Sequence, residues 1–153
     1  MAGQKALLSS ALHPHSTLRA FVKVGAGAIE PKHVILIVAA ERSRIGDSID
    51  LDRATRREYP QSHRWDYLLS VPSVPQIIAL EPHSARDSEV KVVIAKKRRA
   101  VEYLRDHLPS KYRVARWFWV SRGPVNFSKM DPARRQLDQN GITFVGHMLK
   151  SLG

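Results

Sequence analysis

Residues 64–83 read RWDYLLSVPSVPQIIALEPH. Two β-rich runs, residues 65–69 (WDYLL) and 76–81 (QIIALE), are joined by the tight Pro/Ser connection SVPSVP. Each run carries an acid where a buried strand should be apolar: Asp66 interrupts the first and Glu81 closes the second. Two carboxylates brought to neighbouring strands can share one metal ion. Fold and site alike turn on whether this hairpin forms.

Downstream of the hairpin the spacing predicts a long helix. Ser84 or Asp87 offers an N-cap, Glu89 sits in the first turn where the helix dipole favours an acid, and Pro109 marks the end. Val90, Val93, Ile94, Val101, Leu104 and Leu108 recur at helical spacing. Lys97 falls within that stripe, so it is expected on or beside the buried face. There it either covers apolar surface with its stem or turns its ammonium towards the acids. Lys96, Arg98 and Arg99 are expected to point elsewhere and, with Lys91, to form a basic flank for nucleic acid.

The next stretch, residues 112–121 (YRVARWFWVS), predicts a strand with Trp117 and Trp119 on one face and Phe118 on the other. Core packing is the favoured role of these rings, ahead of base stacking. Gly123-Pro124 turns the chain. Asp131-Pro132 opens a helix that stops at Asn140-Gly141, and residues 142–145 (ITFV) form a last strand.

Upstream signals are weaker. Residues 5–12 predict a short helix ended at His13-Pro14-His15, residues 17–24 an edge strand, and Gly25-Ala26-Gly27 a break. The run VILIVAA suits a buried strand or a helix; Pro31 before it, and Ala39, Ala40, Glu41 and Arg42 at its end, favour a helix over 31–44. In the polar stretch 46–60, Asp47, Asp50 and Asp52 read as capping and solvation, with Asp52 capping a helix over 53–58. The spacing lacks the glycine and terminal glutamate of a calcium loop.

The chain has 153 residues, suited to one domain, with residues 1–30 as an N-terminal extension and 31–153 as an α/β core. Its 25 basic and 14 acidic residues leave a formal charge of +11. Such a surplus calls for a polyanionic partner, and nucleic acid is expected ahead of an anionic membrane. The absence of cysteine excludes disulfides, thiolate catalysis and cysteine-based zinc sites. No apolar run has the roughly 18–20 residues of a membrane span, and the N-terminus lacks the apolar segment of a secretory signal, so a cytoplasmic location is expected. His13, His15, His33, His63, His107 and His147 show no zinc-ligand spacing. There is no Gly-rich phosphate loop and no nucleophile elbow.

From the hairpin onward the order is strand, strand, helix, strand, helix, strand. A hairpin followed by a helical crossover gives a mixed sheet with helices packed against it. With a helix before the hairpin, this arrangement resembles the PD-(D/E)XK nuclease superfamily, the restriction-endonuclease-like fold, over residues 31–121. In that superfamily one acid comes from the first hairpin strand and a second from the next, with a lysine two residues later. Asp66 and Glu81 match the acids, whereas His83 occupies the lysine position.

Some members carry the lysine on the following helix, which the resemblance implies for Lys97 and, second, for Lys91; an acid from the first helix would be Glu41. The implied function is a nuclease hydrolysing phosphodiester bonds with Mg2+ or Mn2+ held by Asp66, Glu81 and Glu41. The catalytic set would be Asp66, Glu81, His83 and Lys97, with His83 as donor, base or ligand. DNA is expected ahead of RNA as substrate, and a homodimer is an open arrangement. The alternatives are a nucleic-acid-binding domain of the same fold without catalysis, or a toxin-like interaction domain with an acidic protein inhibitor. The bland reading of the acids is an arginine pair for Asp66 and a strand end at Glu81-Pro82.

Overall fold

The computed structural model describes residues 7–126 and 132–153. Its centre is a six-stranded mixed sheet in chain order: β1 (Lys23–Val24), β2 (Asp47–Asp50), β3 (Tyr67–Val71), β4 (Gln76–Ala85), β5 (Arg116–Val125) and β6 (Ile142–Phe144). Strands β1 to β4 run antiparallel in sequence, and β4, β5 and β6 are parallel. Antiparallel neighbours need only a turn, so β3 and β4 form the expected hairpin, with Tyr67 opposite Leu80 and Val71 opposite Gln76. Parallel neighbours need a crossover, supplied by α5 (Val90–Leu104) between β4 and β5 and by α6 (Pro132–Gln139) between β5 and β6.

Strand alternation sorts the core into two layers. Trp117 and Trp119 face α5 and α6 together with Ile77, Ala79, Val93, Leu104 and Leu137. Phe118 faces the other way, with Tyr67, Leu80 and Val120 against Ile29, Ile37, Leu149 and Leu152. Both sheet faces are thus covered, which is why β3 and β5 are apolar in nearly continuous runs. The tryptophans are core residues: Trp65 meets Trp117 edge-on at 4.9 Å, and Trp119 meets Phe144 at 5.2 Å.

Several local expectations are corrected. Residues 31–44 form two single turns, α2 (Pro31–Val34) and α3 (Ala39–Arg42), because Ile37 leaves the helix to bridge Leu149 beside it. A 3-10 turn over Thr17–Phe21 replaces most of the expected edge strand, leaving only β1. The first helix, α1 (Leu8–Ala11), is shorter than expected, residues 5 and 6 lying outside the described residues, and Leu8, Ala11, Leu12 and Leu18 are buried in the core. Buried Asp47 holds α1 in place, its carboxylate accepting from the Leu8 and Ser9 amides at 2.8 and 3.0 Å and from the Ser70 hydroxyl.

Asp47 to Asp50 form β2, a strand that a polar composition conceals. The cap of α4 (Leu51–Thr55) is Asp50, whose Oδ1 accepts from the Arg53 amide at 2.9 Å. Asp52 instead pairs with Arg56 and Arg64, at 2.7 and 2.8 Å. Asp50→Ala should therefore cost about 1 kcal/mol in urea denaturation, the usual scale of a lost cap. The helix α6 ends as expected, with Gly141 in the left-handed region at φ 68°. The expected cap Asp131 lies outside the described residues.

Candidate active site

The hairpin register sets Asp66, the residue before β3, beside Glu81 on β4. The Asp66 amide donates to Glu81 Oε1 at 2.9 Å. Glu81 shares the α5-facing side of β4 with His83, and its side chain is 0% exposed. A carboxylate so deep needs a counter-charge, because an unpaired buried ion is strongly disfavoured. That charge comes from α5: Lys96 Nζ lies 2.5 Å from Glu81 Oε2 and 3.7 Å from Asp66 Oδ1. The first contact is a charge-assisted hydrogen bond and the second a looser ion pair. One ammonium thus touches both acids, so the two carboxylates lie within the span of a single cation.

His83 completes the cluster from the strand. Its Nδ1 is 3.4 Å from Glu81 Oε2 and its Nε2 is 3.0 Å from Glu89 Oε2. Glu89, expected to serve the helix dipole, lies in a 3-10 turn (Asp87–Glu89) that leads into α5 and is engaged by this imidazole instead. Ser84 lies within β4, and the N-cap residue of α5, Glu89, makes no side-chain cap hydrogen bond among the described residues. Trp119 Nε1 donates to the His83 carbonyl at 3.1 Å, fixing the strand from the neighbouring β5.

The charges perturb one another. Burial, and then the negative charge of Glu81, push the Asp66 carboxyl up to about 8. Hydrogen bonding to Glu81 raises the His83 imidazole above its ordinary value against burial, with Glu89 helping. Burial works against the Lys96 ammonium, yet Glu81 and Asp66 outweigh it and raise its pKa. Asp66 therefore holds a proton in the folded chain at pH values where the unfolded chain has released it. Its stabilising contribution is full below the ordinary carboxylate value and is lost as pH rises through about 8; His83 acts with the same sign above its ordinary value. In EDTA, the melting temperature should fall between about pH 4 and 8. Asp66→Asn should flatten most of that fall, as thermal denaturation across pH would measure.

The other expected site residues lie apart from this cluster. Lys97 donates to the Asn140 carbonyl and sits 5.5 Å over the Trp117 ring, so it braces α5 against α6, and burial lowers its pKa. Lys96, expected on the outer flank, occupies the position beside the acids that Lys97 was expected to fill. Lys91, Arg98 and Arg99 are exposed on α5, Arg99 pairing with Glu102 at 3.6 Å. Glu41 is engaged elsewhere: it accepts from Arg44 at 2.8 Å and from the Leu152 amide at 2.9 Å, and that amide first, then Arg44, holds its carboxyl low. It ties α3 to the C-terminal residues and does not join Asp66 and Glu81.

No protein-family model, curated protein or solved structure matches this chain. Among the described residues no group of three or more His, Asp or Glu side chains is spaced to hold a metal ion. Asp66 and Glu81 nonetheless suit a hard cation that keeps several waters and needs only one or two carboxylates. Burial first, and then the charge of Glu81, raise the Asp66 carboxyl, and a bound cation would oppose both. Among the described residues no helix is long and apolar enough to cross a membrane.

Proposed function

We propose that this protein is a divalent-metal-dependent nuclease that hydrolyses phosphodiester bonds, with Asp66 and Glu81 as the metal-holding pair and Lys96 as the lysine of the site. The observation that carries the reading is the Lys96 ammonium on both carboxylates, an acid–acid–lysine constellation in which the lysine comes from the helix after the hairpin. Such a lysine position is one that the PD-(D/E)XK resemblance implies. The +11 charge supports a nucleic-acid substrate.

In this reading Mg2+ or Mn2+ supplies Lewis-acid polarisation of the phosphate and activation of water. Lys96, relieved of part of its pairing, stabilises charge developing on the phosphate oxygens. His83, partly exposed and held by Glu89, takes or returns the proton near neutral pH. Mg2+- or Mn2+-dependent cleavage of DNA or RNA, abolished by EDTA, is the expected result of a direct assay.

A second reading has a specific observation behind it. Lys96 already neutralises buried Glu81 at 2.5 Å, as it would in a structural ion network within a domain that binds nucleic acid without cutting it. That reading predicts metal-independent binding that weakens steeply with salt, and no cleavage with any divalent ion.

A further inference from the structure

A second basic site lies on the sheet face opposite α5, beyond the ends of β4 and β5. There a cleft of about 530 Å³ opens between α2 and the strand ends. Its walls carry Lys32, Arg86 and Arg122, with Ile35, Leu36 and Pro124 as apolar lining. Among the described residues no carboxylate lines it, although Glu30 lies 3.5 Å from Lys32. Arg86 and Arg122 are exposed, and among the described residues neither forms an ion pair.

His33 in the cleft wall supplies a directed donor. It is 6% exposed, and its Nδ1 lies 2.6 Å from the Tyr67 hydroxyl. That hydroxyl already accepts from the Glu30 amide at 3.3 Å, so its own proton is free to go to Nδ1. With Tyr67 as that donor, the imidazole carries its own proton on Nε2, a buried nitrogen with no hydrogen-bond partner among the described residues. Burial above all keeps the ring neutral, with Arg122 and Lys32 adding to it against the pull of Glu30. A buried N–H without a partner, in a cleft that also carries the exposed Arg86 and Arg122, is an arrangement that an anionic oxygen would satisfy.

We propose that this cleft binds a phosphate group carried by a nucleotide, with Arg122, Arg86 and Lys32 as counter-charges, the His33 Nε2–H as a directed donor, and the apolar wall against the sugar or base. The volume exceeds what a bare phosphate fills and falls in the range of small-molecule pockets. The phosphate comes either from a free mononucleotide or from a nucleic-acid backbone. The proposal is independent of the Asp66 and Glu81 reading, because the cleft lies on the other face of the sheet and requires no divalent cation.

The test is equilibrium binding of dAMP, deoxyadenosine and a short single-stranded oligodeoxynucleotide, all in EDTA, to the full chain. The variants are Arg122→Ala, His33→Phe, His33→Gln and, as a remote charge control, Lys111→Ala. Binding of dAMP but not deoxyadenosine, weakened about tenfold or more by Arg122→Ala and unaffected by Lys111→Ala, is the expected result for a mononucleotide. If only the oligonucleotide binds, a larger loss in Arg122→Ala than in Lys111→Ala assigns the phosphate to a backbone. His33→Gln, which keeps a donor near the Nε2 position, should bind better than His33→Phe; Arg122→Ala, at an exposed position, tests the site if either His33 variant fails to fold. Equal binding of dAMP and deoxyadenosine, equal losses in Arg122→Ala and Lys111→Ala, or no binding of either probe overturns the proposal. The loss of dAMP affinity in Arg122→Ala is read in EDTA, where no metal-dependent cleavage occurs, so a failure of the nuclease reading is separable.

Discussion

Replacing Lys96 with methionine is expected to destabilise the protein by about 3–5 kcal/mol at neutral pH. Methionine keeps most of the apolar stem, so the change isolates the ammonium. Glu81 is then left 0% exposed with only His83 and the Asp66 amide as partners among the described residues. A buried pair adds little over a well-packed apolar replacement, yet removing one partner strands the other. The double variant Glu81→Gln/Lys96→Met should therefore recover most of the loss, and the cycle of four proteins measures the coupling. Urea denaturation with an unchanged m-value is the measurement. A loss below about 1 kcal/mol would mean that water reaches Glu81 and that the ion pair is a surface one. Lys97→Met provides the contrast: its ammonium serves a carbonyl and a ring face, worth about 1 kcal/mol.

Asp66→Asn and Glu81→Gln are each expected to lower metal-dependent cleavage by about 10³-fold, the scale on which removing one electrostatic stabiliser of a transition state acts. Asp66→Asn is the more informative of the two. It preserves shape while removing a charge that burial and Glu81 already disfavour, so its stability should equal or exceed that of the parent at pH 8. Lost cleavage in a protein at least as stable cannot be ascribed to unfolding. Lys97→Ala should retain cleavage, since Lys97 does not touch the acids, whereas Glu41→Ala should change stability without changing the rate. Steady-state cleavage of a labelled oligonucleotide at saturating Mg2+, parent against each variant, checks the set.

The hairpin was legible because β-rich runs and a Pro/Ser turn leave few alternatives, and strand pairing then fixes which residues meet. Asp66 and Glu81 were found as interruptions in apolar strands, the signal by which a buried charge stands out. Lys96, and not the expected Lys97, lies beside the acids for a geometrical reason. Lys97 falls within the face that Val93, Ile94, Ala100 and Leu104 bury, whereas Lys96 lies at its edge, about 100° round the helix. Periodicity identifies a face but not the direction in which the helix crosses the sheet, so it cannot say which of two adjacent lysines looks towards Glu81 and which towards Asn140.

Glu41 was drawn in by expecting one helix over residues 31–44. Local propensity favoured that helix, and the pairing of Ile37 with Leu149 overrode it. Strand β2 was missed because Asp47 and Ser48 are buried polar residues whose partners, Ser70, the Leu8 and Ser9 amides and the Ala28 amide, are distant in sequence. The His33 and Arg122 cleft left no sequence signal either, since its residues come from three separate segments.

Manganese binding tests the central claim most directly. Electron paramagnetic resonance of Mn2+ titrated into the parent protein should show one ion bound per chain, competed by Mg2+ and accompanied by proton release near neutral pH as Asp66 ionises. Asp66→Asn and Glu81→Gln should each lose that ion, while Glu41→Ala keeps it. A parent protein that leaves Mn2+ free, or Asp66 and Glu81 variants that bind it as the parent does, would contradict the account.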